Sequence, residues 1–197
     1  MSQQFQIALR TSLIICLGFP FLGLFIKNIS VYTAKFFSRK GTKFYVILHN
    51  YLTIPGVFHH ELSHAVLAFL TGAKIGHIHL FKPDENEGSL GSVSFAPRGP
   101  IPVQAIQMFL TSIAPVPCGI ATCWLIQHFI LVKPDLNIIQ NITFRYLIIC
   151  ILIHANMSVQ DIITMAKGFP LVFIMIFLIS YFTKFDILIY LMEFIRW

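Results

Sequence analysis

The chain has 197 residues, 56% of them hydrophobic and 11% charged, with a formal net charge of +6 and a mean hydropathy of +0.77. Soluble domains carry about a quarter charged residues, so this composition excludes one and implies an α-helical polytopic membrane protein. The length suits a single membrane-embedded domain, residues 1–197, with about five transmembrane segments. The basic residues are not gathered into the aromatic-interleaved patch of a nucleic-acid surface.

The first apolar stretch, Leu9 to Ile29, reads as a retained span rather than a signal peptide, because Arg10 makes a weak basic head and no small-x-small cleavage site follows. Gly18-Phe19-Pro20 and Gly23 predict a kinked or partly re-entrant helix. Lys27, Lys35, Arg39, Lys40 and Lys43, with the aromatic anchors Tyr32, Phe36 and Phe37, form a basic connector. Such a connector belongs on the cytoplasmic side and puts the N-terminus outside, an orientation that a re-entrant first segment would reverse.

A second apolar segment runs from Phe44 to about Leu70, and Pro55-Gly56 divides it into an approach helix and a second helix starting near Pro55, where proline suits a first turn. The second helix carries His60-Glu61-x-x-His64. Residues four apart on a helix lie one above the other, so both imidazoles can reach one metal ion. Glu61 borders the same pocket and can take a proton from water acidified by the metal and hand it to a leaving amine. This is the zinc hydrolase pattern. Acids and histidines at membrane depth are costly and rarely persist there without a partner.

Thr71-Gly72-Ala73 ends this helix. Ile75 to Phe81 and Leu90 to Phe95 alternate in polarity around the acidic turn Pro83 to Gly88, which predicts a β-hairpin inserted after the metal-binding helix. His77 and His79 share a strand face and could bind a metal, but with no third ligand nearby in sequence they read as solvated positions. After Arg98-Gly99-Pro100-Ile101-Pro102, a third span runs from about Gln104 to Val132. Its Ala114-Pro115-Val116-Pro117-Cys118-Gly119 cluster must distort the helix and free carbonyls that need other partners, either as a packing kink or as a wall of the site. A fourth span, Ile138 to about Met157, carries His154 and Asn156. Lys167-Gly168-Phe169-Pro170 punctuates the chain, and Leu171 to Phe182 opens a fifth span that continues as an amphipathic end towards Trp197. Cys16, Cys118, Cys123 and Cys150 lie in apolar runs without metal spacing and read as core side chains.

Catalytic zinc takes three protein ligands, so His60 and His64 need a third. Asp84, Glu85, Glu87, Asp135, Asp186 and Glu193 lie in turns, loops or the C-terminal end, which leaves Asp161, just beyond the fourth span. Its competing role is a helix cap. His154 is the alternative ligand, two turns earlier on the same face if the helix persists. His154 and Asn156 are otherwise candidates for supporting the ligands or bonding substrate, and His59 for helix packing.

These residues resemble the site-2 protease family of intramembrane zinc metalloproteases. The resemblance covers the His60, Glu61 and His64 helix, the hairpin, the proline-containing span and the late span near Asp161. It implies that His60, His64 and Asp161 hold zinc and that Glu61 is the general base. The family's second motif reads Asn-Pro-x-Asp-Gly, whereas this chain reads Ser158-Val159-Gln160-Asp161-Ile162, so only the aspartate matches. The resulting expectation is a zinc endopeptidase of the cell membrane that cuts a membrane protein or peptide in or beside the bilayer. The alternative is a non-catalytic membrane subunit, with a structural zinc or an emptied site, that acts by binding a partner.

Overall fold

The computed structural model describes residues 2–37, 50–80 and 91–196. In chain order these form α1 (Gln3–Phe37), α2 (Ile54–Leu70), β1 (Lys74–His79), β2 (Ser92–Ala96), α3 (Ile101–Ile113), α4 (Pro115–Leu125) with a π-helical extension Ile126–Leu131, α5 (Ile138–His154), α6 (Val159–Thr183) and α7 (Ile187–Arg196). The protein is mostly helical with one small antiparallel sheet.

Two helices, α1 over Gln3–Tyr32 and α6 over its full length, are long and apolar enough to cross a membrane. A third span is available if α3 and the run Pro115–Leu131 are taken as one segment bent by 53°. Large apolar side chains point outward, with Phe21, Phe69, Ile138 and Phe182 all more than 70% exposed, while Thr11, Ser12, Gln107, Thr111, Ser112 and Ser180 are buried. Helices in lipid associate in this way, through small and polar residues at their contacts and apolar residues facing out.

α3, α6 and α1 pack into one cluster around Cys16, Phe109, Val116, Met157, Met165 and Val172, and α2 lies against α5. Glycines set the closest approaches. A Cβ on Gly168 of α6 would sit 2.3 Å from the Ala105 carbonyl of α3, and one on Gly56 of α2 would sit 2.1 Å from the Cys150 carbonyl of α5.

Three expected boundaries move. α1 is unbroken through Gly18-Phe19-Pro20, with Pro20 inside the helix, and it continues past Ile29 into the residues assigned to the connector. The helix expected as a fourth span ends at His154 because residues 155–158 leave helical geometry. The fifth helix starts at Val159, well before Leu171, and Lys167 to Pro170 lie inside it. The physical reason is a capping box: the Ser158 hydroxyl accepts the Asp161 amide at 3.0 Å and the Asp161 carboxylate accepts the Ser158 amide at 2.7 Å. Gly168 then serves α6 as a packing notch rather than a stop. The basic positions 39–43, most of the approach helix and the acidic turn with Asp84, Glu85 and Glu87 lie outside the described residues.

The hairpin forms with Ile75 opposite Phe95 and Ile78 opposite Val93, with a bulge between Ile75 and Ile78. It leaves the C-terminal end of α2 and folds back along that helix, so that Gly91 lies against the Glu61 side chain. Its base is held by Gln107, which accepts the Arg98 amide at 2.7 Å and donates to the Thr71 carbonyl at 2.9 Å.

Candidate metal centre

α2 places His60 above His64 because the two are one helical turn apart. Their rings meet edge to face with centroids 4.8 Å apart. Asp161 arrives from the first turn of α6, and one ligand atom from each of the three residues lies within 4.8 Å of the others. His64 Nε2 is 3.2 Å from His60 Nε2 and 3.4 Å from Asp161 Oδ1.

The hydrogen bonds on the far side of each ring fix which nitrogen is free. His60 Nδ1 lies 2.8 Å from the His154 carbonyl, and His64 Nδ1 lies 2.7 Å from the Thr111 carbonyl. A carbonyl can only accept, so each Nδ1 carries a proton, and the inward-facing Nε2 of each ring is the nitrogen left to act as a ligand. Two Nε2 atoms and a carboxylate oxygen then face one another, a cluster that a shared proton or a metal cation would hold together. Donors about 2.0–2.1 Å from a tetrahedral ion are about 3.3–3.4 Å apart, close to two of the three separations, while the third, His60 to Asp161, lies within 4.8 Å. The donor set therefore fits a divalent metal, and backbone carbonyls orient both imidazoles as in established metal sites.

Asp161 divides its carboxylate between two tasks. Oδ2 accepts the Ser158 amide and closes the capping box, while Oδ1 faces His64. The cap and a place facing the two imidazoles, posed as competing roles by the sequence, are compatible in one side chain.

Glu61 is buried at 8% exposure. It sits beneath the end of the hairpin, where a Cβ on Gly91 would lie 2.6 Å from its Cγ. The carboxylate is thus confined between α2 and the hairpin, on the helix that carries both histidines.

Other sequence candidates stand elsewhere. The His154 ring bonds Thr53 Oγ1 at 2.7 Å, so this residue reaches the site through its carbonyl and not as a ligand. The two-turn spacing to Asp161 fails because the helix ends at His154. Asn156 Nδ2 donates to the Ile153 carbonyl at 3.0 Å and trims the end of α5. His59 bonds Thr122 Oγ1 at 2.9 Å, joining α2 to α4. His77 and His79 are exposed strand neighbours with stacked rings 6.0 Å apart. The four cysteines are free, and all but Cys118 are buried.

The residues that sequence reasoning passes over are those acting through backbone: Thr111, Ser158 and Gly91. Only Ser158 carried a readable signal, the Ser-x-x-Asp capping signature. No protein-family model matches this chain, and no curated protein or solved structure does either.

Proposed function

We propose that this protein is a zinc-dependent membrane endopeptidase resembling the site-2 protease family, with His60, His64 and Asp161 as ligands and Glu61 as general base. One observation carries the reading. Two imidazoles, each donating its Nδ1 proton to a backbone carbonyl, and one carboxylate converge on a single point beside a confined glutamate. Two nitrogens and one oxygen leave a coordination place open, the hallmark of catalytic rather than structural zinc. When bound, the zinc ion supplies Lewis acidity that acidifies water and polarises a carbonyl.

The chain's own residues supply the rest. His60 and His64 are held at fixed angles by the His154 and Thr111 carbonyls. Glu61 takes the proton of the attacking water and delivers it to the leaving amine, a role that needs a carboxylate in a sheltered place. Gly91 of the hairpin packs against Glu61, which is buried, and a strand edge there would hold an extended substrate by strand addition. Substrate must be extended there, because a helix keeps its carbonyls in its own bonds.

The five-span bundle belongs to the same reading. α2 and α5 have 17 residues each, about the shortest helix that crosses a bilayer. They complete the bundle with α1, the bent α3–α4 segment and α6, in a cell membrane. Partners are membrane proteins or peptides cut in or beside the bilayer.

The test is Glu61→Gln in liposomes containing single-span test peptides, with products mapped by mass spectrometry. General-base loss lowers cleavage by about 10²–10⁴-fold while zinc content stays the same. Equal cleavage by the variant contradicts the protease reading. Zinc retention without cleavage by the wild-type protein points to the non-catalytic subunit.

A further inference from the structure

We propose that Pro115 is a positioning residue for His64, acting by the hydrogen bond it cannot make; the inference rests on the metal-site reading above. In a continuous helix the amide of residue 115 would bond the carbonyl of Thr111, four residues earlier. Proline has no amide hydrogen, and the helix breaks at this point into α3 and α4, bent by 53°. The Thr111 carbonyl is left with a long 3.4 Å contact from the Ala114 amide. Into this vacancy comes His64 Nδ1 at 2.7 Å, from a helix remote in sequence.

The surroundings make the carbonyl a dedicated acceptor. His64, Thr111 and Pro115 are all buried, with Thr111 and Pro115 fully so, and no solvent competes for the bond. The Thr111 and Ser112 hydroxyls beside it are buried without partners, so neither supplies the carbonyl with a substitute donor. A bond accepted by Thr111 keeps the proton on Nδ1 and the lone pair on Nε2, the state in which imidazole binds a metal. Pro117 gives the contrast: its missing amide concerns the Ile113 carbonyl, which takes no part in the site.

Restoring an amide at position 115 creates a competitor for the Thr111 carbonyl and favours a straighter helix. Metal affinity and protein stability should therefore move in opposite directions. The experiment titrates cobalt(II), whose visible absorption reports tetrahedral coordination, into purified metal-free protein in detergent, and records thermal unfolding without metal. Pro115→Ala, and Pro115→Gly, which adds the amide without a side chain, are expected to bind cobalt 10–100-fold more weakly, with unfolding temperatures equal to or above wild type. Pro117→Ala is expected to bind as wild type does. Unchanged affinity in both position-115 variants overturns the proposal, and so does joint loss of affinity and stability in both, which marks an ordinary packing proline. If the wild-type protein itself binds no cobalt, the underlying metal-site reading fails instead.

Discussion

Ser158 and Asp161 bond each other twice at the start of α6, and the pairing leaves one carboxylate oxygen of Asp161 3.4 Å from His64 Nε2. The same side chain thus starts a helix and completes a group of three residues that could hold a metal ion.

The two tasks separate by substitution. Asparagine at position 161 keeps an oxygen for the Ser158 amide but loses the anionic donor, so Asp161→Asn is expected to unfold near the wild-type temperature while zinc affinity falls by more than about 100-fold. Ser158→Ala does the reverse: it costs about 1 kcal/mol of stability through the lost cap and weakens zinc less than Asp161→Asn. Thermal unfolding and competitive zinc titration of the two variants check this. Comparable zinc affinity in Asp161→Asn and wild type contradicts the ligand assignment.

His154 serves the site by its carbonyl, which every residue type but a displaced backbone would preserve. His154→Ala is therefore expected to retain zinc within about tenfold, below the loss for a ligand, at a cost of about 1 kcal/mol for the Thr53 hydrogen bond. His64→Ala is expected to release the metal. Metal content after gel filtration distinguishes them, and equal loss in both would make His154 a ligand.

Two glycines govern different properties of the same region. At Gly56 an added Cβ meets the Cys150 backbone at 2.1 Å, so Gly56→Ala must push α2 from α5. Overpacking of this kind costs about 1–3 kcal/mol, read as a lower unfolding temperature in detergent. At Gly91 the obstacle is the Glu61 side chain, at 2.6 Å. Gly91→Ala is expected to displace Glu61, lowering peptide cleavage at least tenfold with zinc content unchanged. A Gly91→Ala protein of full activity contradicts the placement of the general base beneath the hairpin.

The parts of the site legible in the sequence are those encoded by local spacing. His60 and His64 are one turn apart whatever surrounds them, and a proline pair must break its helix, so the helix that pairs the two imidazoles and the bend in the third segment are both readable. The hairpin was readable from alternation, although its strands sit at Lys74–His79 and Ser92–Ala96, slightly displaced from the expected runs. The start of α6 was misjudged because Gly168 and Pro170 look like breakers, and their actual use depends on how closely α3 approaches. Which carbonyls receive His60 and His64 was not legible at all. Those bonds join residues far apart in the chain, and every residue carries a carbonyl, so no residue type announces them.

The most direct measurement is X-ray absorption at the zinc edge on purified protein, with metal content determined on the same sample. The account predicts one zinc per chain, a shell of light atoms at about 2.0–2.1 Å containing two imidazoles, and loss of one imidazole in His64→Ala. A protein that holds no zinc, or a spectrum that His64→Ala leaves unaltered, would contradict it.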